Sequence, residues 1–300
     1  MASNAAPASG NGLEHLIAAL RLERLEDNLF RGPRASIGWQ RVYGGQVLGQ
    51  ALSAACQTVE ENRAVHSLHG YFLLAGDPDH DIIYDVDRIR DGGSFTTRCV
   101  RAIQHGRPIF TMSASFQKHE QGFEHQAAMP DVPAPESLPT AAELMTALAG
   151  ELPENMRAYW QREKPIDMRI VDPTRYTSRE AKPATQSIWM RANGAIPPDP
   201  TIHAALLAYA SDFTLLDTAL IRHGKMLFER DVQLASLDHA MWFHRPFKID
   251  NWHLYVQESP SASGARGYCR GLIFDRSKRL VASTAQEGLM RQRTTSFESR

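Results

Sequence analysis

The chain has 300 residues, enough for one large domain or two of moderate size, and its formal net charge at pH 7 is −1. This balance of charge argues against nucleic acid and anionic membranes as partners, because both attract basic surfaces. The sequence contains no apolar run of about 18 residues, and its start lacks the pattern of a secretory signal. We therefore expect a cytoplasmic protein without a membrane span.

The cysteine, histidine and glycine patterns do not indicate a metal or a cofactor. The three cysteines, Cys56, Cys99 and Cys269, form no CxxC pair, which argues against a disulfide framework and against a zinc knuckle. The histidines are scattered and include no HExxH motif. No GxGxxG or P-loop motif occurs. We therefore expect a protein that uses neither a metal nor a cofactor.

The first half of the chain predicts two helices followed by four strands. Apolar residues from Leu13 to Leu20 recur at helical spacing. A second helix follows the sequence VYGG at 42–45 and is small and apolar on nearly all faces, which is typical of a buried helix. Alternating apolar residues and turn signals predict strands at 65–74, 82–89, 95–103 and 108–117.

The second half repeats this plan. A helix is predicted at 202–216, and strands are predicted at 232–243, 252–258, 266–274 and 280–290. SLHGYF, which begins at Ser67, resembles SLDHAMWF, which begins 169 residues later, and Arg101 and Arg270 have the same offset. One short match could arise by chance between two strand-rich stretches. The common element order at a nearly constant offset favours an internal duplication.

These patterns predict an α+β protein made of two similar units, each with an antiparallel sheet wrapped around a buried helix. The stretch between the units is rich in proline, which is typical of a surface linker. The predicted division is a disordered start at 1–11, a first unit at 12–118, a linker at 119–165, a second unit at 166–292 and a tail at 293–300.

Asp212 is the first candidate for chemistry. It continues a stripe formed by Ile202, Ala205 and Tyr209 at helical spacing. A carboxylate on a buried stripe is costly unless it is hydrogen-bonded or used in a reaction. The alternative is that the helix ends near Ser211 and the side chain is a solvated or capping group. Asp217 is a rival carboxylate, for which we expect a surface position.

Ser236 and Gln286 are polar residues within two predicted strands, and each shares a strand face with apolar neighbours. Such side chains need hydrogen-bond partners, although a strand serine or glutamine is usually structural. The run from Ser236 to His239 also contains Asp238, but adjacent strand residues point to opposite faces, so a hydrolytic triad within this run is excluded. No GxSxG motif occurs either.

At this point the chain resembles the acyl-CoA thioesterase II family of double-hotdog proteins. The stretches that carry the resemblance run in order through both halves: FRGP (30–33), VYGGQVLGQAL (42–52), VHSLHGYFL (65–73), RDGGSF (90–95), PIFTMSASFQ (108–117), GFEHQ (122–126), WMRANG (189–194), LDHAMWFHRPF (237–247), SASGARG (261–267) and VASTAQEGLMR (281–291). The resemblance implies that each unit is a hotdog, and that double hotdogs associate into a homo-oligomer.

The resemblance also implies hydrolysis of fatty acyl-CoA thioesters to free fatty acid and CoA, so acyl-CoA is the expected partner. The family holds an attacking water with an Asp, a Thr or Ser and a Gln, and these roles fall on Asp212, Ser236 and Gln286. A backbone N–H near a helix start is expected to stabilise the oxyanion. The first unit has Ser115 where the second has Gln286, so we expect it to supply structure and pocket wall.

Two other functions remain open. A hotdog enoyl-CoA hydratase is one, although the nearest stretch to its motif, GDPDH at 76–80, lacks the Asn-Pro pair and is interpreted as a turn. A non-catalytic acyl-CoA-binding protein is the other. Free thiol released from an acyl-CoA would distinguish a thioesterase from both.

Overall fold

The computed structural model describes residues 12–34, 41–148, 164–176, 178–227 and 229–293. The predicted disordered start at 1–11 lies outside these residues, as do 149–163 of the predicted linker and most of the predicted tail.

The helices in the described residues are α1 (Gly12–Leu20), α2 (Gly44–Cys56), α3 (Ala141–Leu148), α4 (Pro200–Ser211) and α5 (Thr218–Ile221). The strands are β1 (Glu23–Glu26), β2 (Leu29–Gly32), β3 (Arg63–Phe72), β4 (Ile82–Asp91), β5 (Phe95–Gln104), β6 (Arg107–Lys118), β7 (Ile166–Ile170), β8 (Thr185–Ala192), β9 (Val232–Ser236), β10 (Asp238–Phe243), β11 (His253–Ser263), β12 (Arg266–Asp275) and β13 (Leu280–Gln292). Within this part of the chain, no helix combines the length and the apolar character that a bilayer crossing requires.

The strands form one sheet made of two halves with matching order. The first half runs β1-β2-β4-β5-β6-β3, and the second, read from its outer edge, runs β7-β8-β11-β12-β13-β10. Antiparallel pairing of β3 with β10 joins the halves, with His69 opposite Ala240. Each half thus contributes two strands, a long helix and then further strands, of which three form a meander and the one before them, β3 or β10, pairs with the last strand of that meander. The predicted duplication and the α+β double-hotdog fold are confirmed.

The helices α2 and α4 pack against each other inside the curve of this sheet. A Cβ atom at Gly45 would lie 2.4 Å from the carbonyl oxygen of Tyr209, and one at Gly49 would lie 2.9 Å from that of Ala205. Two glycines four residues apart therefore allow the two backbones to approach closely. This antiparallel contact places the start of α2 beside the end of α4.

The predicted elements are present, with three differences. Strands β1, β2, β7 and β8 were not predicted; β1 is exposed at every position and so lacks the alternation that marks a half-buried strand. The predicted helix at 202–216 ends earlier, at Ser211.

The third difference is a break in the predicted strand at 232–243. Ser236 pairs with Gly288 of β13, whereas Ala240 pairs with Ala285, so the register shifts by one residue between β9 and β10. Such a bulge reverses the alternation of side chains beyond it. As a result, His239 points to the same helix-facing side as Ser236.

The described part of the predicted linker lies along the outer face of the second half-sheet. The indole N–H of Trp189 donates to the carbonyl oxygen of Pro133 at 2.9 Å. Gln126 bonds the backbone of β13 through its side-chain oxygen, which accepts from the N–H of Leu280 at 3.1 Å. Met129 and Val132 pack on Trp189 and Leu254. The linker therefore covers apolar surface that would otherwise face water.

Candidate active site

A cleft of about 440 Å³ opens where the start of α2 meets the end of α4. Both halves of the chain form its walls, and its volume lies within the range of small-molecule sites. Most of the lining is aromatic or aliphatic, and includes Tyr43, Phe72, Phe110, Tyr209, Phe213, Leu216, Leu227 and Leu234. Asp212 and Ser236 also line this cleft.

Asp212 is the residue immediately after α4 and forms its C-cap. The helix therefore ends where the alternative interpretation placed it, but the carboxylate is not solvated, since its side chain is only 5% exposed. It lies against the start of α2, where a Cβ atom at Gly44 would be 2.8 Å from Oδ2 of Asp212. The positive end of the α2 dipole thus faces a carboxylate from the other half of the chain.

The structure brings together the three residues selected from the sequence. Gln286 lies on β13, and its Nε2 atom donates to Oδ1 of Asp212 at 2.7 Å and to Oγ of Ser236 at 3.0 Å. The Oε1 atom of Gln286 is buried and has no hydrogen-bond partner among the described residues. One buried amide therefore fixes both the carboxylate and the hydroxyl at the floor of the cleft.

The surroundings of Asp212 raise its pKa to about 7. Burial is the largest cause, because it disfavours the charged form. The hydrogen bond from Gln286 and the backbone N–H of Gly45 lower the pKa, while the negative charge of Asp217 raises it. A carboxylate with this pKa changes its protonation state near neutral pH, as a general base in water activation must.

His239 also belongs to this site, although sequence analysis did not select it. Its ring is completely buried, with Nδ1 3.8 Å from Oδ1 of Asp212 and Nε2 2.9 Å from Oγ of Ser211. Burial lowers the pKa of His239 to about 4, so the ring is neutral near pH 7. The bulge before His239 explains the omission, because strict alternation from Ser236 places this side chain on the opposite face.

Comparisons with known proteins show the family of this chain. The family model described as "Acyl-CoA thioesterase N-terminal domain" matches residues 30–117, and the model described as "Acyl-CoA thioesterase" matches residues 161–289. Acyl-CoA thioesterase 2 of Haemophilus influenzae is 44% identical over 283 residues, which cover 93% of this chain and 98% of the relative. The chain belongs to the acyl-CoA thioesterase family.

Solved structures are also similar to this chain. An acyl-CoA thioesterase II from Mycobacterium marinum is similar with a TM-score of 0.76 and 43% identity, covering 93% of this chain and 99% of that one. A protein with a hot dog fold from Alicyclobacillus acidocaldarius matches with a TM-score of 0.75 at 20% identity, covering 93% of this chain and 99% of that one. The second likeness supports the fold alone.

In the first half of the chain, the positions that correspond to Gln286 and Asp212 carry different side chains. Ser115, which corresponds to Gln286, lies with its Oγ atom 2.8 Å from Nε2 of His66. Cys56 lies as far from the start of α2 at Gly44 as Asp212 lies from the start of α4 at Pro200, so the two positions correspond when the helix starts are aligned. Burial raises the pKa of the Cys56 thiol to about 12, and a hydrogen bond with Thr201 lowers it. A neutral thiol here cannot serve as a base, so the two positions are not chemically equivalent.

The lining of the cleft also includes basic residues. Arg41 and Lys164 line it. By contrast, Arg266 and Arg270 form ion pairs with Glu287 and Glu258 on the outer side of the sheet. Among the described residues, Arg41 is the cation placed to meet an anionic ligand at the cleft, because burial lowers the pKa of Lys164 to about 7 and leaves its amine only partly protonated near neutral pH.

Proposed function

We propose that this protein hydrolyses fatty acyl-CoA thioesters to free fatty acid and CoA. The observation that carries the proposal is the bridge from Gln286 to Asp212 and Ser236 at the floor of an apolar cleft. The thioesterases named among the relatives and the family models support the same reaction.

In the proposed mechanism, Asp212 is the general base. It removes a proton from a water molecule as the water oxygen bonds to the thioester carbonyl carbon. The tetrahedral intermediate then collapses, the carbon–sulfur bond breaks, and the thiolate of CoA takes the proton from Asp212. The pKa of about 7 suits both steps, because the group accepts and returns a proton near neutral pH.

Ser236 and Gln286 are proposed to orient the water. Oγ of Ser236 accepts from Gln286, which leaves its own O–H to donate to the water or to the substrate. The start of α2, at Gly44 and Gly45, faces the same point and supplies positive potential for the developing oxyanion. We therefore propose that the first half of the chain helps to stabilise the oxyanion, in addition to forming part of the cleft wall.

The cleft is proposed to hold both parts of the substrate. Phe72, Phe110 and Phe213 supply apolar surface for an acyl chain, while Arg41 is placed for a phosphate of CoA. CoA belongs to the substrate, and the proposed steps require neither a metal nor another cofactor.

The test is thiol release from acyl-CoAs of increasing chain length, compared between the wild type, Asp212→Asn and Asp217→Asn. The first variant keeps the shape but removes the base, so we expect a loss of about 10²–10⁴-fold in kcat. Asp217→Asn is the matched control, since Asp217 also lines the cleft but is not hydrogen-bonded to Gln286; loss of its charge lowers the pKa of Asp212 but leaves the base in place, so turnover at a pH above 7 is expected to persist. Near-normal turnover by Asp212→Asn would overturn the assignment.

Crotonyl-CoA distinguishes the two other functions. Loss of enoyl absorbance without thiol release would indicate a hydratase. Binding of crotonyl-CoA without either change would indicate an acyl-CoA-binding protein.

We also propose a cytoplasmic location and a homo-oligomer of double hotdogs. The three cysteines are free thiols, which suits a reducing compartment. Tyr71, Leu73 and Leu74 expose apolar surface beside the cleft, as an assembly surface would. Light scattering of the purified protein tests the assembly, and a monomer at all concentrations would contradict it.

A further inference from the structure

Asp77, His80 and His105 form a cluster at one end of the strands of the first half-sheet. Asp77 and His80 lie in the loop between β3 and β4, and His105 lies in the turn between β5 and β6. Nδ1 of His80 is 2.9 Å from Oδ2 of Asp77, and Nε2 of His105 is 3.0 Å from the same oxygen. All three atoms lie within 4.8 Å of one another. None of these residues has a role in the proposed hydrolysis.

We propose that this cluster binds a divalent transition metal of the Zn²⁺ type through Oδ2 of Asp77, Nδ1 of His80 and Nε2 of His105, with water completing the coordination. Zinc bonds of about 2.0–2.2 Å at a tetrahedral angle separate two ligand atoms by about 3.4 Å. The two distances to Oδ2 therefore need to open by about half an ångström, and the two imidazole nitrogens, which lie within 4.8 Å of each other, need to reach the same separation. Two imidazoles and one carboxylate favour Zn²⁺, Cu²⁺ or Ni²⁺ over Mg²⁺ and Ca²⁺, which prefer oxygen ligands.

Gln104 holds the two parts of the cluster together. Its side chain is buried, and Oε1 accepts from the backbone N–H of Asp77 at 2.8 Å. Its Nε2 atom donates to the carbonyl oxygens of Asp77 and His80, each at 2.9 Å. One buried amide thus fixes the loop with two of the ligands against the strand that leads directly into the third, His105. This arrangement preorganises the site, as supporting residues do around known metal sites.

The carboxylate and the turn are also oriented for binding. Oδ1 of Asp77 accepts from the backbone N–H of Asp79 at 3.0 Å, which turns Oδ2 toward the imidazoles. His105 has a φ of 49° and Gly106 a φ of 71°. A positive φ is uncommon for a residue other than glycine, and it directs the His105 ring back across the turn to Asp77. The side chains of His80 and His105 are 58% and 56% exposed, so an ion can reach them from solvent.

The test is a calorimetric titration of Zn²⁺ into the full chain, purified without a histidine tag and treated with EDTA. The variants are His80→Gln with His105→Gln, which removes two ligands, and His119→Gln with His125→Gln, which removes two exposed histidines outside the cluster. We expect one equivalent of Zn²⁺ per wild-type chain, the same in the control pair, and at least a tenfold weaker affinity in the ligand pair. Gln104→Ala is expected to weaken binding by about tenfold, through loss of orientation.

Electron paramagnetic resonance with one equivalent of Cu²⁺ gives a second readout, in which two imidazole ligands split the signal and His105→Gln leaves one. The exposed positions of His80 and His105 make misfolding a poor explanation for lost binding, and melting curves in EDTA check this. The proposal is overturned if the wild type binds no more Zn²⁺ than the ligand pair, or if the control pair loses binding equally. These readouts do not involve thioester hydrolysis, so failure here and failure of the proposed function are separate results.

Discussion

The imidazole of His239 lies between two groups at the end of α4, with Nδ1 3.8 Å from Oδ1 of Asp212 and Nε2 2.9 Å from Oγ of Ser211. Ser211 is fully buried, so it is not a nucleophile that substrate can reach. Its hydroxyl donates either to Nε2 or to the carbonyl oxygen of Ala208, 2.9 Å away. In the first case the ring proton lies on Nδ1 and points toward the carboxylate. His239 then acts as a neutral dipole beside Asp212.

His239→Leu tests this relationship through the pH profile. With the ring proton on Nδ1, loss of this N–H near the carboxylate removes stabilisation of its charged form, so we expect the pKa of Asp212 to rise; a fall would instead place the ring proton on Nε2. The inflection in kcat/KM should move to higher pH by about half a unit or more. His244→Gln is the control, because His244 also bonds a serine hydroxyl, that of Ser283 on β13, but on an exposed face. An unshifted inflection in His239→Leu, with the melting temperature preserved, would show that the ring only fills space.

The wild-type pH profile follows from the raised pKa of Asp212, about 7. The base works only when ionised, so kcat/KM is expected to fall about tenfold per unit of pH below 7 and to level off above it. His239, with a pKa of about 4, is neutral throughout this window and adds no second inflection there. Thiol-release rates at subsaturating substrate check the prediction. If kcat/KM did not change between two pH units below this inflection and the inflection itself, Asp212 would be ruled out as the titrating base.

Ser236 offers a matched pair of variants. Ser236→Thr keeps the hydroxyl that accepts from Gln286, and the added methyl restricts its rotamers, so kcat is expected to stay within a few-fold of wild type. Ser236→Ala removes the hydroxyl and leaves the amide bonded to Asp212 alone, so we expect a loss of about 10²-fold in kcat. Equal rates for Ala and Thr would mean that the hydroxyl does not orient the water.

Local patterns predicted the repeat, the long helices α2 and α4 and most strands. Alternation and helical spacing reflect the burial of residues within a single element, so they can be read from the sequence of that element alone. Asp212 was found by its spacing, but only tertiary contacts show that it stays buried after the helix ends. His239 was not selected because the one-residue register shift before it cannot be recognised from the sequence.

The cluster of Asp77, His80 and His105 shows the same limit in another form. Its third member is separated from the others by two whole strands, so no ligand spacing appears along the chain. Grouping Asp212, Ser236 and Gln286 as one site likewise required the resemblance to a family, since spacing alone does not bring them together.

Gly45 links the fold to the site, and Gly45→Ala should damage both. Its new Cβ atom would lie 2.4 Å from the carbonyl oxygen of Tyr209 and 2.5 Å from the ring of Tyr43, so α2 must shift away from α4. We expect the free energy of unfolding to fall by about 1–3 kcal/mol, as for other overpacked sites, and kcat to fall because the start of α2 leaves Asp212. Gly93→Ala is the control, because its Cβ atom would meet nothing within 4 Å. Denaturant unfolding and thiol release measure the two effects separately. If Gly45→Ala lost stability but kept its kcat, the start of α2 would be a packing element alone, and the oxyanion would have to be stabilised elsewhere.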